Sequence, residues 1–230
     1  MPPERRLIPI HLTRPAAVTA VVCFAILAAM GAAVAGDTTA GPVDEAGFAA
    51  VDAVFTALPG VADPLTLASR PVPVLCVLAA IAAVALRAKR PRIALLAALG
   101  PVVTVALNTW ALKPLIDRTH DGKLAFPSGH TATLVSVLAV LTLAIAAHAP
   151  PGKRRAHTAV AAATALALTA IAVSAIIRLR YHYLTDTIGA VFWAVGAVLA
   201  VAALIDWFAR RRQPVGDARS VAKTPVNAVE

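Results

Sequence analysis

Hydrophobic residues along this chain come in long blocks, separated by short stretches that hold most of the charge. Six blocks stand out, at about 16–35, 71–87, 93–112, 131–148, 158–177 and 187–208. Each is about 17 to 22 residues long, enough as a helix to cross a hydrocarbon core of about 30 Å. The blocks are rich in Ala, Val and Leu and lack the period-two alternation of strands, so they predict helices rather than a barrel. Prolines fall between them: Pro42, Pro59 and Pro64, then Pro91, then Pro127, then Pro150 and Pro151. The expected fold class is therefore all-α, a polytopic membrane protein built as a six-transmembrane-helix bundle. One domain over residues 1–208 and a basic, disordered cytoplasmic tail over 209–230 complete the expected layout. Segment 44–57 is weakly amphipathic and reads equally as a helix on the membrane surface or as a loop.

Composition agrees with this picture. The chain is 59% hydrophobic and 14% charged, with mean hydropathy +0.77, whereas a soluble domain is about 25% charged. Cys23 and Cys76 lie inside apolar blocks and read as small hydrophobes, with no disulfide or metal framework around them. A net charge of +9 would suit a polyanion, but the positions of the cations argue against nucleic acid. Arg5, Arg6 and Arg14 precede the first block, and Arg87, Lys89, Arg90 and Arg92 separate the second from the third. Lys153, Arg154 and Arg155 separate the fourth from the fifth, and Arg210, Arg211, Arg212, Arg219 and Lys223 follow the sixth. These 15 of 21 cations fall on one side of the expected bundle, which the positive-inside rule makes cytoplasmic together with both termini. Membrane lipids are sufficient partners for them; oligomeric state is not specified. The first block has a rival reading as a signal peptide, because it ends Ala33-Val34-Ala35, but its apolar run is long for one. Trp110, Tyr181 and Tyr183 near outer ends and Trp207 near an inner end fit interfacial aromatic belts.

Six cations remain for the outer side: Arg70, Lys113, Arg118, Lys123, Arg178 and Arg180. Five of the six fall in two clusters. The first runs from Lys113 through Arg118 to Phe126-Pro127-Ser128-Gly129-His130; the second is Arg178-Leu-Arg180-Tyr-His182 with Asp186 four residues on. Hydrocarbon tolerates charge poorly, so cations and histidines gathered against the positive-inside bias mark a site. His182 and Asp186 share a face if the sixth helix begins there, and a carboxylate on one imidazole nitrogen leaves the other free as nucleophile or base. Ser128-Gly129-His130 opens the fourth block, where unpaired N–H groups and the helix dipole favour phosphate. His130 is placed as an acid, and Lys113, Arg118 and one of Arg178 or Arg180 as neutralisers of phosphoryl oxygens. Lys123 and Asp121 read as solvated loop residues, Asp117 as a tuning partner of Lys113 or Arg118, and His11, His148 and His157 as inert.

This pattern resembles the type 2 phosphatidic acid phosphatase family of integral-membrane lipid phosphate phosphatases. Its second motif, Pro-Ser-Gly-His, is intact as residues Pro127 to His130. Its third ends His-x-x-x-Asp, present as His182 to Asp186, and its first opens with a lysine matched by Lys113. Two positions depart from the family. His120 and Asp121 stand where the first motif has Arg-Pro, and Ile176 stands where the third has arginine; Arg178, one helical turn before His182, is the expected substitute. The resemblance implies a reaction without metal or other cofactor. His182 attacks phosphorus and forms a phosphohistidine, Asp186 orients it, and His130 protonates the leaving group. Lys113, Arg118, Ser128, Gly129 and Arg178 hold the phosphoryl group. The implied substrate is a lipid phosphate at the outer face of the plasma membrane, of the polyprenyl phosphate or diphosphate or the phosphatidic acid type. A phosphotransferase using the same histidine and a non-catalytic lipid-binding or transport protein are the alternatives.

Overall fold

The computed structural model describes residues 6–150 and 152–211. After a short 3₁₀ turn come α1 (Thr13–Val34), α2 (Pro42–Thr56) and α3 (Ala62–Thr66), then α4 (Pro71–Arg87) and α5 (Pro91–Leu107). A π-helical segment, Asn108–Leu112, carries α5 into α6 (Lys113–Ile116). A small antiparallel hairpin follows, β1 (Thr119–His120) and β2 (Lys123–Leu124), with Thr119 opposite Leu124 and His120 opposite Lys123. Then come α7 (Gly129–His148), α8 (Arg154–Arg178) and α9 (Leu184–Arg211). Proline starts α2, α4 and α5, where its fixed φ suits the first turn and its missing N–H costs nothing.

Among the described residues, five helical stretches are long and apolar enough to cross a membrane: Ile10–Val34, Pro91–Ile116, Gly129–His148, Arg154–Arg178 and Leu184–Arg211. The second expected span, 71–87, is α4, a shorter apolar helix of 17 residues that packs on α5 and α7. The architecture is an all-α membrane bundle, as the apolar blocks implied. Of segment 44–57, residues 44–56 are helical, within α2, and Ala57 caps its end. The expected tail lies outside the described residues from 212 onward.

Helix α9 is the centre of the bundle, packed against α1, α5 and α7. Small residues on it let the neighbours come close: Phe24 of α1 lies on Gly196, and the ring of Phe126 lies on Gly189. One core joins Leu96 and Ala97 of α5, Val140 of α7 and Val198 and Ala202 of α9. At its far end Asp206 accepts the backbone N–H groups of Leu7 (3.1 Å) and Ile8 (3.0 Å) and pairs with Arg92 at 3.5 Å. A second core, nearer the clusters, joins Leu27, Ile116, Phe126, Ala132, Ala190 and Trp193. Trp193 also donates its indole N–H to the carbonyl of Thr104 at 3.0 Å.

Because the long helices alternate in direction, both residue clusters arrive at the same end. Backbone bonds lock that end: Gly36 donates to Ile116 (2.9 Å), Thr119 to Asp37 (2.9 Å) and Ser128 to Asp186 (3.0 Å). Helix α2 folds over it, packed on α8 and α9, with Gly47 seated on Leu184. Trp110 is exposed and Tyr181 half-exposed, in keeping with an interfacial belt, but Tyr183 is buried. The Arg118 guanidinium lies over its ring at 4.3 Å and His120 packs at 4.4 Å between ring centres, so it supports the site instead.

Candidate active site

The N-terminus of α7 forms one wall. Ser128 is its cap, its Oγ accepting the Thr131 N–H at 3.4 Å, and it is fully buried. A Cβ on Gly129 would meet nothing within 4 Å, so the backbone there is open to an approaching group. His130 is exposed, stacked on Tyr181 at 5.9 Å.

Facing it is the loop between α8 and α9. Asp186 sits in the first turn of α9 and is wholly buried. Its Oδ2 accepts the Tyr183 N–H at 3.0 Å, as the third residue of a capping box does, and lies 3.5 Å from Nδ1 of His182. At that length the His182–Asp186 contact is electrostatic rather than an aligned hydrogen bond, and among the described residues Nδ1 has no other partner. The histidine rings are 6.1 Å apart, inclined at 65°. Burial pushes the His182 imidazole below its ordinary value; contact with Asp186 opposes that, while the charge of Lys113 reinforces it.

Arg118 stands behind Asp186, and only 1% of it is exposed. Its guanidinium donates to Asp186 Oδ1 (2.8 Å), to Thr185 Oγ1 (2.6 Å) and to Asp44 Oδ2 (2.6 Å). Asp44, from α2, is equally buried and also accepts from the N–H (2.9 Å) and hydroxyl (2.8 Å) of Thr185. Burial alone would raise its carboxyl, but hydrogen bonds from Thr185, Arg118 and Gly41 outweigh that and hold it below the ordinary value.

A cleft of about 290 Å³ opens over these groups, lined by Lys113, His120, Asp121, Lys123, Leu124, Ala125, His130, Arg180, Tyr181 and His182. Lys113 donates to the Leu124 carbonyl at 2.6 Å. Arg180 lines the cleft and Arg178 does not. Helix α8 ends at Arg178, and Arg180 takes a left-handed conformation (φ 57). The Arg180 N–H reaches Ile177 O at 2.9 Å and the Tyr181 N–H reaches Ile176 O at 3.1 Å, a Schellman closure that breaks the helical phase before His182. Arg178 therefore shares no helix face with His182; it is half-exposed and pairs with Asp52 of α2 at 3.4 Å. Arg180 pairs with the same carboxylate at 2.6 Å, lies over Phe48 at 4.0 Å, and its carbonyl contacts His120 Nε2 at 2.6 Å.

Of the eight residues singled out in the sequence, His182, His130 and Lys113 line the cleft. Gly129 lies at its wall and Asp186 directly behind His182. Arg118, Ser128 and Arg178 are engaged away from the lining, with two carboxylates, a helix cap and Asp52 respectively. Lys123 and Asp121, expected as plain loop residues, do line it. Sequence reasoning missed Asp44, Asp52, Thr185 and the burial of Tyr183. The one signal for Asp44 was its place two residues after Pro42, where an acidic residue suits a helix start. Among the described residues no three His, Cys, Asp or Glu side chains converge as metal ligands do.

Histidines facing each other across a cationic cleft, one backed by a carboxylate, fit transfer of a phosphoryl group. A transmembrane PAP2-type phosphatidylglycerolphosphate phosphatase from Bacillus subtilis has a similar fold, with a TM-score of 0.63 at 20% identity over 86% of this chain and 98% of that one. No curated protein matches the sequence. Residues 74–212, more than half of the chain and all of both clusters, match the family's sequence pattern, and the protein belongs to the PAP2 superfamily.

Proposed function

We propose that this protein is an integral-membrane lipid phosphatase that works through a phosphohistidine on His182. The observation that carries the reading is the His182–Asp186 pair set across a cationic cleft from His130. Burial keeps His182 neutral at neutral pH, so its ring lone pair is available. That lone pair attacks phosphorus as the bond to the leaving oxygen breaks, and His130 gives the oxygen its proton. Asp186 faces Nδ1 and offsets the positive charge of the phosphorylated ring. Water then attacks phosphorus, His130 takes its proton, and the nitrogen–phosphorus bond breaks to release phosphate. Lys113, Arg180 and the open backbone at Gly129 hold the phosphoryl oxygens, with Arg118 acting from behind through Asp186. This scheme assigns no step to a metal.

The substrate is a lipid phosphomonoester or diphosphate, of the polyprenyl phosphate or phosphatidic acid type, whose phosphate enters the cleft at the interface. The gathering of cations at the opposite end supports an outer-face site with cytoplasmic termini in the plasma membrane. Residues 1–208 act as one domain.

The test is phosphate release by the full-length protein in detergent with EDTA present. Polyprenyl diphosphate, polyprenyl monophosphate, phosphatidic acid and phosphatidylglycerolphosphate form the panel, and His182→Ala is the control. Chelator-resistant release from at least one lipid, abolished in the variant, is expected. Release that survives in His182→Ala, or none from any of the four with folded protein, overturns the reading.

A further inference from the structure

Asp44 takes no part in the scheme above, yet it is 1% exposed and its polar contacts run to the site or to its own helix start. Oδ2 accepts from Arg118 (2.6 Å) and from the Gly41 N–H (3.2 Å); Oδ1 accepts from the N–H and hydroxyl of Thr185. Arg118 continues to Asp186, and Asp186 to His182. A buried line of charge, Asp44–Arg118–Asp186–His182, thus joins α2 to the proposed nucleophile. Buried charge is costly unless fully paired, and it is a poor way merely to fasten a helix. The packing of Gly47 on Leu184, and of Phe55 with Ala62 and Ala175, already seats α2.

The geometry gives Asp44 a specific task. A guanidinium facing one carboxylate tends to grip both oxygens as a fork. Here one arm of the fork is held by Asp44, so Arg118 takes only Oδ1 of Asp186, and Oδ2 remains for Tyr183 N–H and His182. Two carboxylates around one guanidinium also leave net negative charge behind the imidazole, which favours the cationic ring formed when nitrogen bonds to phosphorus. We infer that Asp44 is a positioning residue for phosphoryl transfer, keeping Oδ2 of Asp186 and the net negative charge of the cluster available to His182. The role in catalysis rests on the phosphatase reading; the effect on His182 does not.

The other charged groups facing His182 are fixed by the fold and are unchanged in the tests. They are Lys113 from α6, His120 from β1 and His130 from α7, with Asp121, Lys123 and Arg180 further round the cleft. The experiment is the titration of His182 followed by NMR of ring-labelled full-length protein in detergent, wild type against Asp44→Asn, beside pH–rate profiles of both. Loss of one charge roughly 10 Å away at an effective dielectric of about 20 should lower the His182 titration by on the order of one pH unit. The acid limb of kcat/KM should move down with it. The kcat should fall about 10- to 100-fold, as when a supporting partner of an active-site histidine is lost, with KM nearly unchanged. Asp44→Glu, which keeps the charge, should hold the titration near its wild-type place. If Asp44→Asn does not fold, Thr185→Val, which removes the hydroxyl shared by Asp44 and Arg118, should shift His182 in the same direction by less. An unmoved His182 titration in the folded variant overturns the inference. Wild-type protein that releases no phosphate from any lipid overturns the phosphatase reading instead, and the titration still judges Asp44.

Discussion

Replacing Arg118 with alanine removes the cation that lies between two carboxylates that water does not reach. Asp44 and Asp186 are 1% and 0% exposed, and Arg118 donates to both, at 2.6 and 2.8 Å. Breaking a buried pair by deleting one partner costs about 3–5 kcal/mol, because the charge left behind is uncompensated. Here two are left behind, so the upper part of that range applies. For a chain of this size each kcal/mol moves a melting temperature by about 2–4 °C, so Arg118→Ala should melt on the order of 10 °C or more below wild type at neutral pH. The pH dependence gives a second, independent sign. The wild-type Asp44 carboxyl is held below its ordinary value, so its stabilising contribution is present above the unfolded value and is lost as pH falls through the folded one. In Arg118→Ala the Asp44 carboxyl loses its cation and protonates in milder acid, which relieves part of the penalty. The gap between the two proteins should therefore narrow as pH falls towards about 4. Thermal melts of both proteins in one detergent from neutral to acid pH measure this. Equal melting at neutral pH, or a gap that does not change with pH, would refute the assignment of Arg118 as the centre of a buried charge network.

Three further expectations follow from the geometry. Gly189→Ala puts a methyl group into the ring of Phe126, which is wholly buried and cannot swing away, so it should cost about 1–3 kcal/mol in a melt; an unshifted melt would contradict that packing. Arg180→Ala should raise KM for a lipid phosphate several-fold while Arg178→Ala has the smaller effect, since only Arg180 lines the cleft; the reverse order in steady-state kinetics would place the phosphate elsewhere. Because burial lowers His182, kcat/KM should hold on the acid side down to below about 6.5 and then fall as His182 gains its proton; an acid limb above neutral pH would count against His182 as nucleophile.

What the sequence disclosed here was whatever had a local signature. Apolar blocks of membrane length stand apart from their flanks whatever they pack against, so the helices were visible before their arrangement. His182 and Asp186 lie four residues apart, and Ser128-Gly129-His130 marks a helix start, so their chemistry could be read from spacing. The partner of Arg118 could not. Asp44 is 74 positions away, and only the folding of α2 over the bundle end brings them together. The choice between Arg178 and Arg180 turned on one backbone dihedral. An unbroken helix through residue 182 would set Arg178 beside His182; the left-handed turn at Arg180 sends it to Asp52 instead. Tyr183 looked like an interfacial aromatic because the pattern shows its neighbours in sequence, not the guanidinium above its ring.

The proposed chemistry turns on a covalent bond between His182 and phosphorus. Brief incubation with lipid phosphate carrying labelled phosphorus, an alkaline quench that preserves phosphohistidine, and peptide mass spectrometry test it directly. Label is expected on His182, cleared on longer incubation in wild type and absent in His182→Ala. Rapid release of phosphate with no label on His182 at any time, or label on another residue, would contradict it.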